Sequence, residues 1–210
     1  MSIDTSYFDF IQELKQKIYS AKSKAIFSAN RLMIELYFQI GKEIVAKQEV
    51  LGWGKSIVEQ MSKDLIKEFG EKSGYSTQNL WYMRQFYLAY KDNPNLQQAV
   101  GEIPWASNIL IFSKCKDEIE QKYYIKNKIY AIRGEQVMLD KDLAVLYGVE
   151  AKRINEAVKN NEDKFHDDFF FELADEEFAK TRTNPKVFTE QGMNLMLNAK
   201  YLIFTNKKAT

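Results

Sequence analysis

The sequence predicts an α-rich chain of two domains, an all-helical part over 1–125 and a small α+β part with a helix-turn-helix over 126–210. Three observations carry this. Apolar residues recur at intervals of three and four through residues 4–48, and helical patterns return at 56–69 and 76–90. Near residue 126 the pattern changes to short β-prone runs. Finally, LDKDLAVLYGVEAKRINEAVKNN, residues 139–161, has the spacing of two short helices packed across a tight turn.

In the first segment Phe8, Ile11, Leu14, Ile18, Ala21, Ala25, Leu32, Leu36, Ile40 and Ile44 form an apolar stripe that no proline interrupts. Gly52 and Gly54 break it. Ser56 with Glu59 reads as a capping box opening a helix whose core face is Val58, Met61, Leu65 and Phe69. Ser76 reads as the N-cap of the next helix, GYSTQNLWYMRQFYLAY, which sets Leu80, Met83, Phe86, Tyr87 and Tyr90 on a core side. Gln78, Trp81, Tyr82, Gln85 and Ala89 fall on the other side, which suits a contact face for either protein or DNA. KDNPN closes that helix with a turn around Pro94.

In the second part, KIYAIRGEQVML reads as two strands separated by Gly134-Glu135. Helices are expected at about 140–147 and 150–160, a strand around DDFFFEL, an acidic helix start after it, and a last helix after Thr189.

A DNA-reading helix-turn-helix needs a small residue where its helices cross, a glycine at the turn and an aliphatic lock. Ala144, Gly148 and Ile154 fill those roles, with Leu143, Tyr147 and Val149 also inward. The second helix then exposes Lys152, Arg153, Asn155, Glu156 and Lys159. Lys and Arg suit phosphates or guanine edges, and Asn suits adenine. The same spacing also fits a plain helical corner with a solvated charged face.

Charge does not mark a basic module: Lys and Arg number 16 against 15 Asp and Glu through Ile125, and 14 against 14 beyond it. Any DNA contact must come from a local patch. No secretory signal opens the chain, no apolar run approaches a membrane span of ~20 residues, and a single cysteine excludes an internal disulfide, so a cytoplasmic location is expected. Cys115 and His166 cannot assemble a zinc site. GWGKS at 52–56 lacks the first glycine of a phosphate-binding loop, since Glu49 holds that place. Glu120–Lys122 and Glu150–Lys152 have the letters of a metal-dependent nuclease motif but fall in helices. No catalytic residue, metal site or cofactor is expected.

Residues 10 to about 125 resemble the N-terminal domain of the bacterial YhcG-type family, through LYFQIGKEIV, GWGKSIVEQMSKDLIKEF, GYSTQNLWYMRQFYLAY and IPWASNIL. That resemblance implies a helical, winged-helix-like DNA-binding module, normally followed by a PD-(D/E)XK nuclease domain. Gln78 stands where the family usually has Arg, and Ser107 where it usually has His. From about 127, IYAIRGEQVMLDKDLAVLYGVEAKRINEAVKNNEDKFHDDFFFELADEEF and VFTEQGMNLM resemble the phage Orf-six N-terminal domain, a relative of the KilA-N and Bro-N domains of antirepressors. Asn160, Lys164 and His166 depart from its pattern, and its Gly/Arg-rich segment is shortened here to AKTRTNPK.

The resemblances imply a non-catalytic DNA-binding regulator of phage or mobile-element type. Lys152, Arg153 and Asn155 would read bases and Lys159 would hold phosphate, while Gln78, Trp81, Arg84 and Gln85 would make a second contact. A homodimer would fit half-site recognition. The alternative is a protein-interaction module that partners a separately encoded nuclease or restriction subunit, with a vestigial second domain.

Overall fold

A computed structural model describes residues 5–52, 54–166, 168–174 and 185–198. Among them run nine helices and four strands, so the chain is α-rich with a small antiparallel sheet. The chain forms two compact units, Arg31–Glu102 and the combination of Met1–Asn30 with Ile103–Thr210.

Helix α1 spans Thr5–Leu51 without interruption, as its periodicity predicts. The apolar stripe that reveals the helix is buried only toward its end: Phe8, Ile18, Leu32 and Leu36 are exposed, Ile40 is half-buried and Ile44 is buried. In the Arg31–Glu102 unit α1 buries, beside Ile44, the residues Ile34, Tyr37, Phe38 and Val45 that lie off the stripe, with Gly41 in their midst. A side chain at Gly41 would collide with the carbonyl oxygen of Met83. The missing Cβ lets the backbones approach, and that choice of face cannot be read from hydrophobicity alone.

Helix α2 (Lys55–Phe69) starts from Gly54, and no side chain caps it. The expected Ser56 capping box is therefore displaced by a glycine N-cap. Val58 and Ser62 are buried, Met61 and Leu65 half-buried, and Phe69 is exposed, its ring 5.8 Å from Tyr75. The core face is thus turned away from Phe69.

Helix α3 (Thr77–Tyr90) is capped by the Ser76 hydroxyl, which accepts from the Asn79 amide at 3.3 Å. Leu80, Met83, Phe86 and Tyr90 are fully buried and Tyr87 half-buried. Phe38 meets the rings of Phe86 and Tyr87 edge-on, at 6.0 and 5.1 Å, geometry that aromatic quadrupoles favour. Past it, Asn93 caps a helix rather than a turn: its carboxamide accepts from the Leu96 amide, and Pro94 opens α4 (Pro94–Val100). No strand occurs among the described residues of this unit.

The other unit is built on α5 (Trp105–Lys114), whose residues from Trp105 to Ile111 are all buried. Around it lie α6 (Glu118–Asn127), α7 (Asp140–Tyr147) and α9 (Glu190–Asn198). Ser107, at the place of a usual family His, is fully buried, its hydroxyl 3.5 Å from the Met193 sulfur. Strands β1 (Tyr130–Ile132) and β2 (Glu135–Leu139) form a hairpin through Arg133-Gly134, one residue before the expected turn. Both turn residues have positive φ, 52° and 86°, the geometry of a two-residue type I′ connection. Helix α8 (Ala151–Lys159) follows α7, and β3 (Phe170–Glu172) and β4 (Lys186–Phe188) complete the sheet in the order β1-β2-β4-β3. The acidic helix start expected after β3 lies outside the described residues. Thr189 is buried, donates its hydroxyl to Asp168 and Phe169 carbonyls, and precedes α9 as expected.

Candidate nucleic-acid interface

Helix α7 ends because Gly148 takes the left-handed conformation, φ 66° and ψ 36°. The Gly148 amide donates to the Val145 carbonyl and the Val149 amide to the Ala144 carbonyl, both at 3.0 Å. This pattern satisfies the last carbonyls of α7 and turns the chain sharply. Helix α8 then packs back on α7, with Ile154, Ala157 and Val158 buried on α8 and Leu143, Ala144 and Tyr147 buried on α7. Val149 is half-buried. Short and aliphatic inside, α8 presents only long polar side chains outside.

Those side chains are not equally available. Lys152 is exposed and Arg153 half exposed; Glu156 lies 3.8 Å from the Lys152 amine and 3.4 Å from the Arg153 guanidinium. Exposed pairs of this kind are weak, about 0.3–0.5 kcal/mol, and a phosphate can displace them. Lys159 is exposed. Asn155 differs: its amide donates to the Asp140 carboxylate at 2.9 Å, and its carbonyl oxygen is buried without a partner. Asp140 in turn accepts from the Lys141 amide at 2.7 Å. Asn155 therefore ties α8 to the start of α7 rather than projecting outward.

The start of α7 is also held from α6. The Lys128 amine reaches Asp142 at 2.9 Å, with both side chains largely buried. The hydrogen bond donated to Asp142 raises the Lys128 pKa above the ordinary lysine value, against the opposing effect of burial.

Sequence reasoning did not single out Lys186 on β4 or Phe170 on β3. With Lys152, Lys159, Glu162 and Phe165 they line an open concavity beside α8. The Lys186 amine lies 4.9 Å over the Phe170 ring and 3.6 Å from Glu172. The strands that carry them are three residues long, too short to announce a face by alternation.

On α3, Gln78 and Gln85 are exposed, while Trp81 and Tyr82 are half-buried. Arg84 points sideways: its Nε donates to Gln48 at 2.6 Å and its guanidinium lies 5.7 Å over the Trp81 ring. Two of the four expected contact residues there are thus engaged within the fold.

Among the described residues no group of acidic, histidine and cysteine side chains could hold a metal ion, and no helix is long and apolar enough to cross a membrane. Burial pushes the Cys115 thiol up to about 12, with Glu120 and Asp117 adding to the effect. His166 is an exposed loop residue, its ring 5.4 Å from Phe169.

The described structure is that of an α-rich protein with two compact units and a glycine-turned helix pair beside a small sheet. The chain belongs to the DUF1016 N-terminal domain family, whose model matches residues 13–141, and residues 127–199 match the ORF6N domain. It is 33% identical over 88 residues to an Escherichia coli (strain K12) protein named "Putative nuclease YhcG". That match takes in 40% of this chain and 23% of the relative, so the chain spans about a quarter of that protein. No solved structure matches the chain.

Proposed function

We propose that the chain is a non-catalytic DNA-binding protein of phage or mobile-element regulator type, working in the cytoplasm. Its α7–α8 pair acts as a helix-turn-helix. Helix α8 enters the major groove with Lys152 and Arg153 toward base edges and Lys159 on phosphate. Asn155 positions α8 through Asp140 instead of reading a base. Functionally the chain divides into 1–125 and 126–210, and a homodimer would present two α8 helices to two half-sites.

The observation that carries this reading is the outward face of α8, three cations on a helix whose other side is locked by Ile154, Ala157 and Val158. Support also comes from the sheet. The order β2-β4-β3 beside the helix pair supports a winged-helix reading, in which the antiparallel pair β3–β4 is the wing and Lys186 lies on it. The winged arrangement is therefore proposed for this part of the chain rather than for 1–125.

A mobility-shift assay at low salt tests the reading. Wild type should bind duplex DNA, and Lys152→Glu/Arg153→Glu should bind at least about tenfold more weakly, since each charged contact contributes ~1 kcal/mol or more. Absence of binding by wild type would sink it.

A second reading is favoured by α3, where exposed Gln78 and Gln85 flank half-buried Trp81 and Tyr82. Amides beside large rings suit a protein contact. In that reading the chain partners a separately encoded nuclease or restriction subunit, and its second domain is vestigial.

A further inference from the structure

Roughly the first five turns of α1 leave a regular apolar seam uncovered. Tyr7, Ile11, Leu14, Ile18, Ala21 and Ala25 recur at alternating spacings of four and three, the a and d positions of a heptad. Tyr7 and Ile18 are 51% and 52% exposed, Ala21 and Ala25 are exposed, and Ile11 and Leu14 are only half-buried. The opposite side of the helix is the one that packs: Ser23 and Tyr19 lie against Gly134 of the β1–β2 turn, and Asn30 donates to the Ile103 carbonyl at 2.8 Å. The seam therefore faces away from the body of its own unit.

The charges beside it specify an occupant. Lys15 and Lys22 fall at e positions and Lys17 and Lys24 at g positions, so both flanks of the seam are basic from Leu14 onward, whereas the first e and g places are the exposed Phe8 and Phe10. All four are exposed, and among the described residues only Lys17 of the four has an ion pair, a 4.0 Å contact with Glu13. Flanking charges decide which helix a heptad seam accepts. A second copy would set Lys17 against Lys22 in a parallel pair, and like lysines against each other in an antiparallel one. A membrane surface favours a broad face of bulky residues. Here the apolar band is broad only at its start, where Phe8 and Phe10 flank Tyr7 and Ile11, and it narrows between lysines to Ala21 and Ala25, a width that suits close helix packing.

We infer that this seam is a docking site for an amphipathic helix of a partner protein whose own apolar stripe is flanked by Asp or Glu. The site is independent of DNA binding by α8.

Fluorescence anisotropy with the full chain tests it, using two labelled synthetic peptides of four heptads. Both carry Ile at a and Leu at d; one has Glu at every e and g position, the other Lys. The acidic peptide should bind and the basic one should not. Ile18→Asp, a change at an exposed position that leaves the fold intact by circular dichroism, should abolish binding. Replacing Lys15, Lys17, Lys22 and Lys24 with Glu should weaken the acidic peptide by about tenfold, four exposed pairs each worth up to about twofold, and should admit the basic peptide. Equal binding of the two peptides, or binding of neither, overturns the inference. So does Ile18-dependent self-association in sedimentation, which would make the occupant a second copy. Ile18-dependent binding to phosphatidylglycerol vesicles without peptide binding would overturn it in favour of a lipid surface.

Discussion

Helices α3 and α8 each set apolar residues on one side and polar ones on the other, but they hold their polar groups differently. On α3 the only cation, Arg84, is drawn inward by Gln48 and the Trp81 ring, which leaves two neutral glutamines outside. On α8 the inward side is made of Ile154, Ala157 and Val158, which offer no hydrogen-bonding group, so Lys152, Arg153 and Lys159 stay at the surface. The one polar residue of α8 that does turn inward, Asn155, finds a carboxylate in Asp140. Bulky amphipathic neighbours capture a charged side chain, and small aliphatic ones leave it available to a partner.

The largest effect expected from this contrast is on stability. Phe86→Ala should destabilise the fold by about 4 kcal/mol in urea, because a fully buried ring leaves a cavity beside Phe38 and Tyr90. DNA affinity of the folded fraction should not change; a loss there would give α3 a role that its packing argues against.

Asp142→Asn should cost about 3 kcal/mol by leaving Lys128 buried beside a neutral group. This pair also sets an alkaline limit. Because the Lys128 pKa is raised in the folded state, its stabilisation is present below the ordinary lysine value of about 10.4 and is lost as pH rises through the higher folded value. Burial also raises Tyr124, to about 12, and Tyr130, and their ionisation acts in the same direction. Denaturant titrations from pH 8 upward should show wild-type stability falling, and Asp142→Asn falling less steeply. Parallel curves would separate the ion pair from the alkaline loss.

The smallest effect belongs to Arg84→Met, which removes one hydrogen bond and one cation–ring contact. It should cost about 1 kcal/mol in thermal melts and leave DNA affinity within about twofold of wild type.

The helix pair is legible in the sequence because its signals are local. Gly148 has to be left-handed, and Ala144 and Ile154 have to be small and aliphatic, whatever surrounds them. The extents of α1 and α3 and the Ser76 cap are legible for the same reason. What cannot be read is tertiary. Helix α1 carries two apolar faces, and the approach of Met83 to Gly41 favours the one around Ile34, Tyr37 and Phe38. Gly54 replaces the Ser56 capping box, and Phe69 lies outside the core, because the neighbour of α2 decides its rotation. Helix α4 has a legible signal in Asn93-Pro94, a cap followed by a proline at the first position, but the same pair also suits the turn expected there. The Asn155–Asp140 bond spans fifteen residues and has no signal in the sequence. The division near 126 follows a change in sequence pattern, whereas α5 packs with α6, α7 and α9, because every residue from Trp105 to Ile111 is buried.

The role of α8 is most directly tested by the slope of log binding constant against log salt concentration for a DNA duplex. Wild type should give a negative slope, and Lys152→Ala/Lys159→Ala a slope shallower by about 0.9 for each phosphate that is no longer neutralised, while Gln78→Ala/Gln85→Ala leaves it unchanged. A wild-type slope near zero, or one that removing both lysines does not alter, would contradict DNA binding through α8.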